Sequence, residues 1–132
     1  MPPLATSFVA CLALVLYFVL SALAARARAR YGIKAPATTG HLEFEKRFRV
    51  QQNTLEQIVL FLPSLLLFGV FVDSRIGAAI GLVWIVARLH YAWSYYRDPE
   101  KRTPGMVATL LTTAILLIGA IVGIVVVGVR WA

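Results

Sequence analysis

"FRVQQNTLEQIVLFLPSLLLFGVF", residues 48–71, begins like a solvated surface and ends like the inside of a bilayer. Arg49, Asn53 and Glu56 stand at i, i+4 and i+7, so a helix through this stretch stacks all three on one face. From Gln57 to Val72 no charged residue follows. An intramembrane charge costs at least about 2.5–3.5 kcal/mol on insertion scales. A helix that carries an arginine, an amide and a carboxylate down one stripe into lipid therefore needs a partner for them.

The rest of the chain places this segment among membrane spans. Its 132 residues are 60% hydrophobic, with a mean hydropathy of +0.79. A soluble domain is nearer half apolar, with its apolar residues interrupted every few positions. Here Pro2–Ala25 and Thr103–Val129 carry no charge, and Ile76–Tyr96 is broken only by Arg88 and His90. About 20 apolar residues cross a bilayer core. The expected fold is all-α: an integral-membrane bundle of four helices near 4–25, 49–73, 76–97 and 104–129, forming a single domain over 1–132. The N-terminal run lacks a basic leader, and its apolar stretch exceeds the roughly 7–15 residues of a signal-peptide core, so it reads as a span. Pro63 should kink the second helix, and small residues at 119, 123 and 128 suit close packing of the fourth. Cys11 stands alone and mid-span, which excludes an intrachain disulfide and reads as a small packing residue.

A net charge of +7 invites a nucleic-acid reading, but its placement argues against one. Seven basic residues lie between helices 1 and 2 and three between helices 3 and 4, whereas the opposite side has only Arg75 and Arg130. By the positive-inside rule both basic loops face the cytoplasm and both termini lie outside, as suits a bacterial inner membrane. The arginines of "ARARAR" alternate about 200° around a helix and read as snorkelling anchors, not as one functional face.

Depth brings a second polar stripe to the first. At about 1.5 Å of rise per residue, Asn53 lies about 6 Å and Glu56 about 10 Å beyond Arg49. Helix 3 returns to the same side, which puts Tyr91 about 9 Å deep and Arg88 about 13 Å deep. Arg88, Tyr91 and Tyr95 again share a face. An internal Arg88–Glu56 ion pair would satisfy two of these groups. It would still leave a surplus, because Arg49, Arg88 and Arg102 converge on one deep acid. Guanidinium groups bind carboxylates bidentately and Glu56 can take an ammonium, so the constellation suits a guest with two carboxylates and an amine. Glutathione has those groups and a thiol; other small peptides or a phosphorylated headgroup fit the same chemistry.

"FEKRFRVQQNTLEQ", "ARLHYAWSYY" and Arg102 together resemble the MAPEG family, the membrane-associated proteins in eicosanoid and glutathione metabolism. The resemblance runs from about Arg26 to Pro104, and its R-x-x-x-N-x-x-E stripe followed by R-x-x-Y-x-x-x-Y is fairly specific. It implies a homotrimer with glutathione held between neighbouring subunits and open to the cytoplasm. By the resemblance, Arg49, Gln51, Asn53, Glu56, Arg88, Tyr91 and Tyr95 surround glutathione. Arg28, at the end of helix 1, reaches the peptide as well, and Arg102 holds the thiolate as the catalytic residue. Ala29 and Gln57 stand where leukotriene C synthase-like members have an arginine and a tyrosine. These departures point toward a general detoxifying glutathione transferase, or a peroxidase acting on lipid hydroperoxides. The implied partners are glutathione as co-substrate, a lipophilic electrophile or lipid hydroperoxide, membrane lipid and further copies of the chain.

The chemistry needs no metal, and no Cys/His cluster with metal-ligand spacing is present. His90 turns away from the Tyr91 face, His41 lies in a loop, and the three tryptophans read as packing or interface residues. A non-catalytic lipid-binding or scaffold protein of the same fold is the main rival. A small multidrug transporter would need an acid in helix 1, which has none.

Overall fold

The computed structural model describes residues 2–132. Its chain forms four long helices, α1 (Leu4–Arg30), α2 (Leu42–Phe71), α3 (Ser74–Arg97) and α4 (Thr103–Trp131), with a short 3-10 turn at Pro99–Arg102 before α4. All four are long and apolar enough to cross a membrane. At about 1.5 Å per residue even the shortest exceeds the roughly 30 Å of a bilayer core.

The helix ends correct the sequence-based bounds, most of all on the basic side. α1 runs through Arg30 instead of stopping near residue 25, because alanine and arginine are strong helix formers. It ends where Gly32 takes φ +66°. The Ile33 amide then donates to the Arg28 carbonyl at 3.0 Å and the Gly32 amide to that of Ala29 at 3.4 Å. Those two bonds form a Schellman close. α2 starts at Leu42, ahead of the expected 49. His41 caps it by accepting the Glu43 amide on Nδ1 at 3.2 Å. Glu43 then pairs with Lys46 at 3.2 Å and Arg47 at 2.9 Å, one turn on. What read as a loop, "LEFEKRF", is the first two turns of a helix. α2 continues through Pro63 as helix.

Two residues, Val72 and Asp73, join α2 to α3. Asp73 makes so short a turn workable by accepting the amides of Arg75 and Ile76, both at 2.8 Å. α1 and α4 each pack on both α2 and α3 and scarcely touch each other. The core seam holds Ala13, Leu16, Phe61, Leu65, Trp84 and Leu116. Phe61 and Trp84 stack with ring centroids 4.0 Å apart. Gly123 of α4 sits where a β-carbon would come within 2.8 Å of the Phe71 carbonyl, which is the close packing expected there. Gly128 meets nothing. Cys11 and Trp93 are exposed on the outer surface, so Cys11 does not pack inside the subunit. Large apolar side chains on the outer faces, such as Phe8, Phe18, Ile118 and Val125, are exposed as well.

Candidate functional site

The buried centre of the polar region is Arg88, whose side chain is fully enclosed by the bundle. Its Nη1 donates to Asn53 Oδ1 at 2.6 Å and its Nη2 to Thr109 Oγ1 at 2.7 Å. The guanidinium lies 4.4 Å from the centroid of the Tyr91 ring and 5.7 Å from that of Trp84. One arginine thus ties α2, α3 and α4 together at a common depth. Such a tie is strong because each bond to the charged group is made away from water.

Tyr91, one turn on, is buried, and Tyr95 follows with its ring 5.7 Å away. The Tyr91 hydroxyl lies within electrostatic range of Arg88, Tyr95, Arg102 and Arg49. Arg49 is exposed on α2, and Arg102 is exposed where the 3-10 turn meets α4. Arg102 is held by a single bond from Nη1 to the Pro99 carbonyl at 2.8 Å. Gly105 brings α4 against α3 just beneath it: a β-carbon there would stand 2.8 Å from the backbone of Tyr91.

The Arg88–Glu56 ion pair that the sequence left open is absent. Among the described residues the only ion pairs are those of Glu43 with Lys46 and Arg47. Glu56 is exposed, on the stripe of α2 that also carries Arg49, Leu60 and Leu67 and faces away from the bundle. Asn53, at the edge of that stripe, is the α2 residue that reaches Arg88. Arg49, Arg88 and Arg102 therefore have no carboxylate partner among the described residues.

Arg28 and Gln51 lie elsewhere. Arg28 donates to the Ala37 carbonyl at 2.7 Å and sits over the Phe44 ring at 4.7 Å. With Gln51, Phe44 and Phe48 it lines a cavity of about 290 Å³ between α1 and α2. Gln51 Nε2 is 3.4 Å from the Tyr17 hydroxyl. On α2, Gln51 is turned about 160° from Arg49 and Asn53 and about 140° from Glu56. The nine residues singled out by sequence thus fall into two groups on opposite sides of α2.

The sequence reading missed Thr109, Tyr17 and Phe44. Neither histidine joins either group: His41 stacks on Tyr31 with ring centroids 3.7 Å apart, and exposed His90 lies 3.5 Å from the Ser94 hydroxyl. No group of His, Cys, Asp and Glu able to hold a metal ion occurs among the described residues.

The family model described as the MAPEG family matches residues 6–122. The chain belongs to the MAPEG family. It shares 47% identity over 118 residues with an uncharacterized protein of Synechocystis sp., covering 89% of this chain and 86% of that one. Microsomal glutathione S-transferase 2 of Mus musculus is 39% identical over 99 residues, covering 75% of this chain and 67% of the relative. Leukotriene C4 synthase of Cavia porcellus is 36% identical over 108 residues, covering 82% and 71%. Family membership and four long apolar helices together make this MAPEG chain a multi-pass membrane protein.

Proposed function

We propose that this protein is a membrane-bound glutathione transferase that stabilises the glutathione thiolate for attack on lipophilic electrophiles. The observation that carries the reading is the uncompensated charge around Tyr91. Three guanidinium groups, on α2, α3 and at the start of α4, have no carboxylate among the described residues to neutralise them, and that of Arg88 lies 4.4 Å from the ring of buried Tyr91. An anionic guest with carboxylates suits them, and relatives named glutathione S-transferase and leukotriene C4 synthase favour glutathione.

Arg49 and Asn53 would hold the peptide, Glu56 its ammonium, and Tyr91 and Tyr95 the wall behind it. Arg102, at the start of α4 and held only by its bond to the Pro99 carbonyl, is the one assigned to the sulfur. A thiol like that of cysteine titrates near pH 8.5, and a guanidinium at hydrogen-bonding distance in a partly dry site favours its ionised form. The thiolate can then attack an electrophilic carbon, forming a C–S bond as the leaving group departs. It can instead attack a hydroperoxide oxygen, cleaving the O–O bond to an alcohol and a glutathione sulfenic acid that a second glutathione converts to the disulfide and water. Neither route needs a protein nucleophile.

The two-sided distribution of the residues supports assembly. Arg28 and Gln51 cannot reach a guest bound at Arg49 and Glu56 of their own subunit, but a neighbouring copy can present them there. Glu56, exposed about 10 Å into the span, also needs such cover. We therefore read the assembly as a homotrimer with glutathione between subunits. By charge distribution the site opens to the cytoplasm of a bacterial inner membrane, with both termini outside.

Detergent-purified protein mixed with glutathione should develop the ultraviolet absorbance of a thiolate near neutral pH. Glutathione that binds without that band would favour a non-catalytic scaffold instead.

A further inference from the structure

A second basic cavity, of about 220 Å³, opens at the end of α1 on the side away from Arg28. Leu23 and Ala27 form its floor, Arg26, Arg30 and Arg47 its rim, and Tyr31 one wall. Arg26 and Arg30 are one turn apart on α1, and Arg28 points about 160–200° away from both. The cavity is thus separate from the Arg28–Gln51 group.

Its charge is unbalanced. Glu43 engages Arg47 at 2.9 Å and Lys46 at 3.2 Å. Arg26 and Arg30, both exposed, have no carboxylate partner among the described residues. Arg47 is further fixed by donating to the Glu43 carbonyl at 2.9 Å and lying over the Tyr96 ring at 5.1 Å. Tyr31 is fixed by its stack on His41. The rim is therefore part rigid and part free to close on an anion.

What lies beneath the cavity decides which anion. Phe8, Val15 and Val19 fall at 18, 11 and 7 residues before Arg26, on the same face of α1, and all three are exposed. An uninterrupted apolar track so runs down the helix from a basic cup placed at its interfacial end. A free phosphate has no use for that track, whereas a phospholipid places its phosphate in the cup and an acyl chain along the helix.

We propose that Arg26, Arg30, Arg47 and Tyr31 form a binding site for the phosphate headgroup of an anionic phospholipid, whose acyl chain lies along Phe8, Val15 and Val19.

Native mass spectrometry of the detergent-purified protein with added phosphatidylglycerol, phosphatidylcholine or inorganic phosphate tests the site. Phosphatidylglycerol should be retained in preference to phosphatidylcholine. Each rim guanidinium removed should weaken retention about fivefold, the scale of one basic side chain at an anionic surface. The Arg26→Gln/Arg30→Gln variant should accordingly lose roughly 25-fold while keeping wild-type glutathione binding. Both positions are exposed, so the variant should keep its gel-filtration profile, and Arg75→Gln at the opposite end controls for total charge. Equal retention by wild type and the double variant would overturn the proposal, as would inorganic phosphate displacing the lipid at comparable concentration. Rapid disulfide crosslinking of Val19→Cys between subunits, in a Cys11→Ser background, would put a second copy of the chain on this face and overturn it too.

Discussion

Replacing Thr109 by valine removes one hydroxyl and keeps the shape. That hydroxyl accepts from Arg88 Nη2 at 2.7 Å and donates to the Met106 carbonyl at 2.7 Å. Arg88 is fully buried, and its Nε is already without a partner. A second orphaned donor on the same charged group has no water to turn to. A hydrogen bond to a charged group contributes about 1.5–3 kcal/mol, and losing one partner exposes the desolvation cost of the other. If the network positions Asn53 for the guest, Thr109→Val should weaken glutathione binding by roughly 10- to 150-fold. The melting temperature in detergent should fall with it. Thr109→Ser restores the hydroxyl without the methyl and should recover most of both. Asn53→Leu removes the other acceptor, and because the two bonds share one guanidinium the double variant should be less than additive. Isothermal titration with glutathione and a detergent melting curve on the same samples read both effects. Unchanged binding and stability in Thr109→Val would refute the reasoning. A Thr109→Ser protein as impaired as Thr109→Val would refute it differently, by making the methyl's packing the cause.

Arg102→Leu should leave glutathione affinity near normal and remove the thiolate absorbance. If the thiol loses two units of pKa depression and returns to about 8.5, its thiolate fraction at about pH 7 drops roughly 25-fold. Because deprotonation is what the arginine favours, conjugation to an aryl halide should recover as pH rises toward the free thiol's range. Full turnover at neutral pH would remove Arg102 from its role. Chains carrying Arg28→Ala and chains carrying Glu56→Ala should each bind glutathione poorly, yet mixed trimers should regain some sites, because an unmutated Arg28 can then face an unmutated Glu56. Mixtures no better than either parent would argue that the site lies within one subunit. Cysteines replacing Lys34 and Lys101, in a Cys11→Ser background, should resist an impermeant thiol reagent in intact cells; ready labelling of both would reverse the orientation.

The four spans were legible in the sequence because uncharged runs of bilayer length have few other uses. Their ends were not. "ARARAR" and "LEFEKRF" carry the charge density of loops, but both are helix, since lipid sets where apolar residues stop and not where backbone hydrogen bonding stops. The stripe of Arg49, Asn53 and Glu56 was visible as a helical period. A period gives the shared face of one helix but not which neighbour that face meets. An Arg88–Glu56 pair was therefore one arrangement the sequence left open, whereas the rotation of α2 brings Asn53 to Arg88 and turns Glu56 outward. Thr109 escaped because its partner lies on another helix, 21 positions away, and a threonine in an apolar helix has no periodic mark. The resemblance to a family supplied Arg28 and Gln51, which no single-helix pattern could have joined to the others.

Gly105 has a bearing on how Arg102 can move. With no side chain at 105, the first turn of α4 lies directly on the backbone of Tyr91, and that turn cannot slide along α3 without collision. Arg102 is anchored three residues from this pivot, with only its bond to the Pro99 carbonyl to break. Its guanidinium accordingly behaves as an arm on a fixed shoulder. Its reach toward Tyr91 is then set by side-chain length and by that one bond, with no shift of a helix to add to it. Lysine at this position, shorter and with a point charge, would have to meet the same target from a shoulder that cannot lean forward.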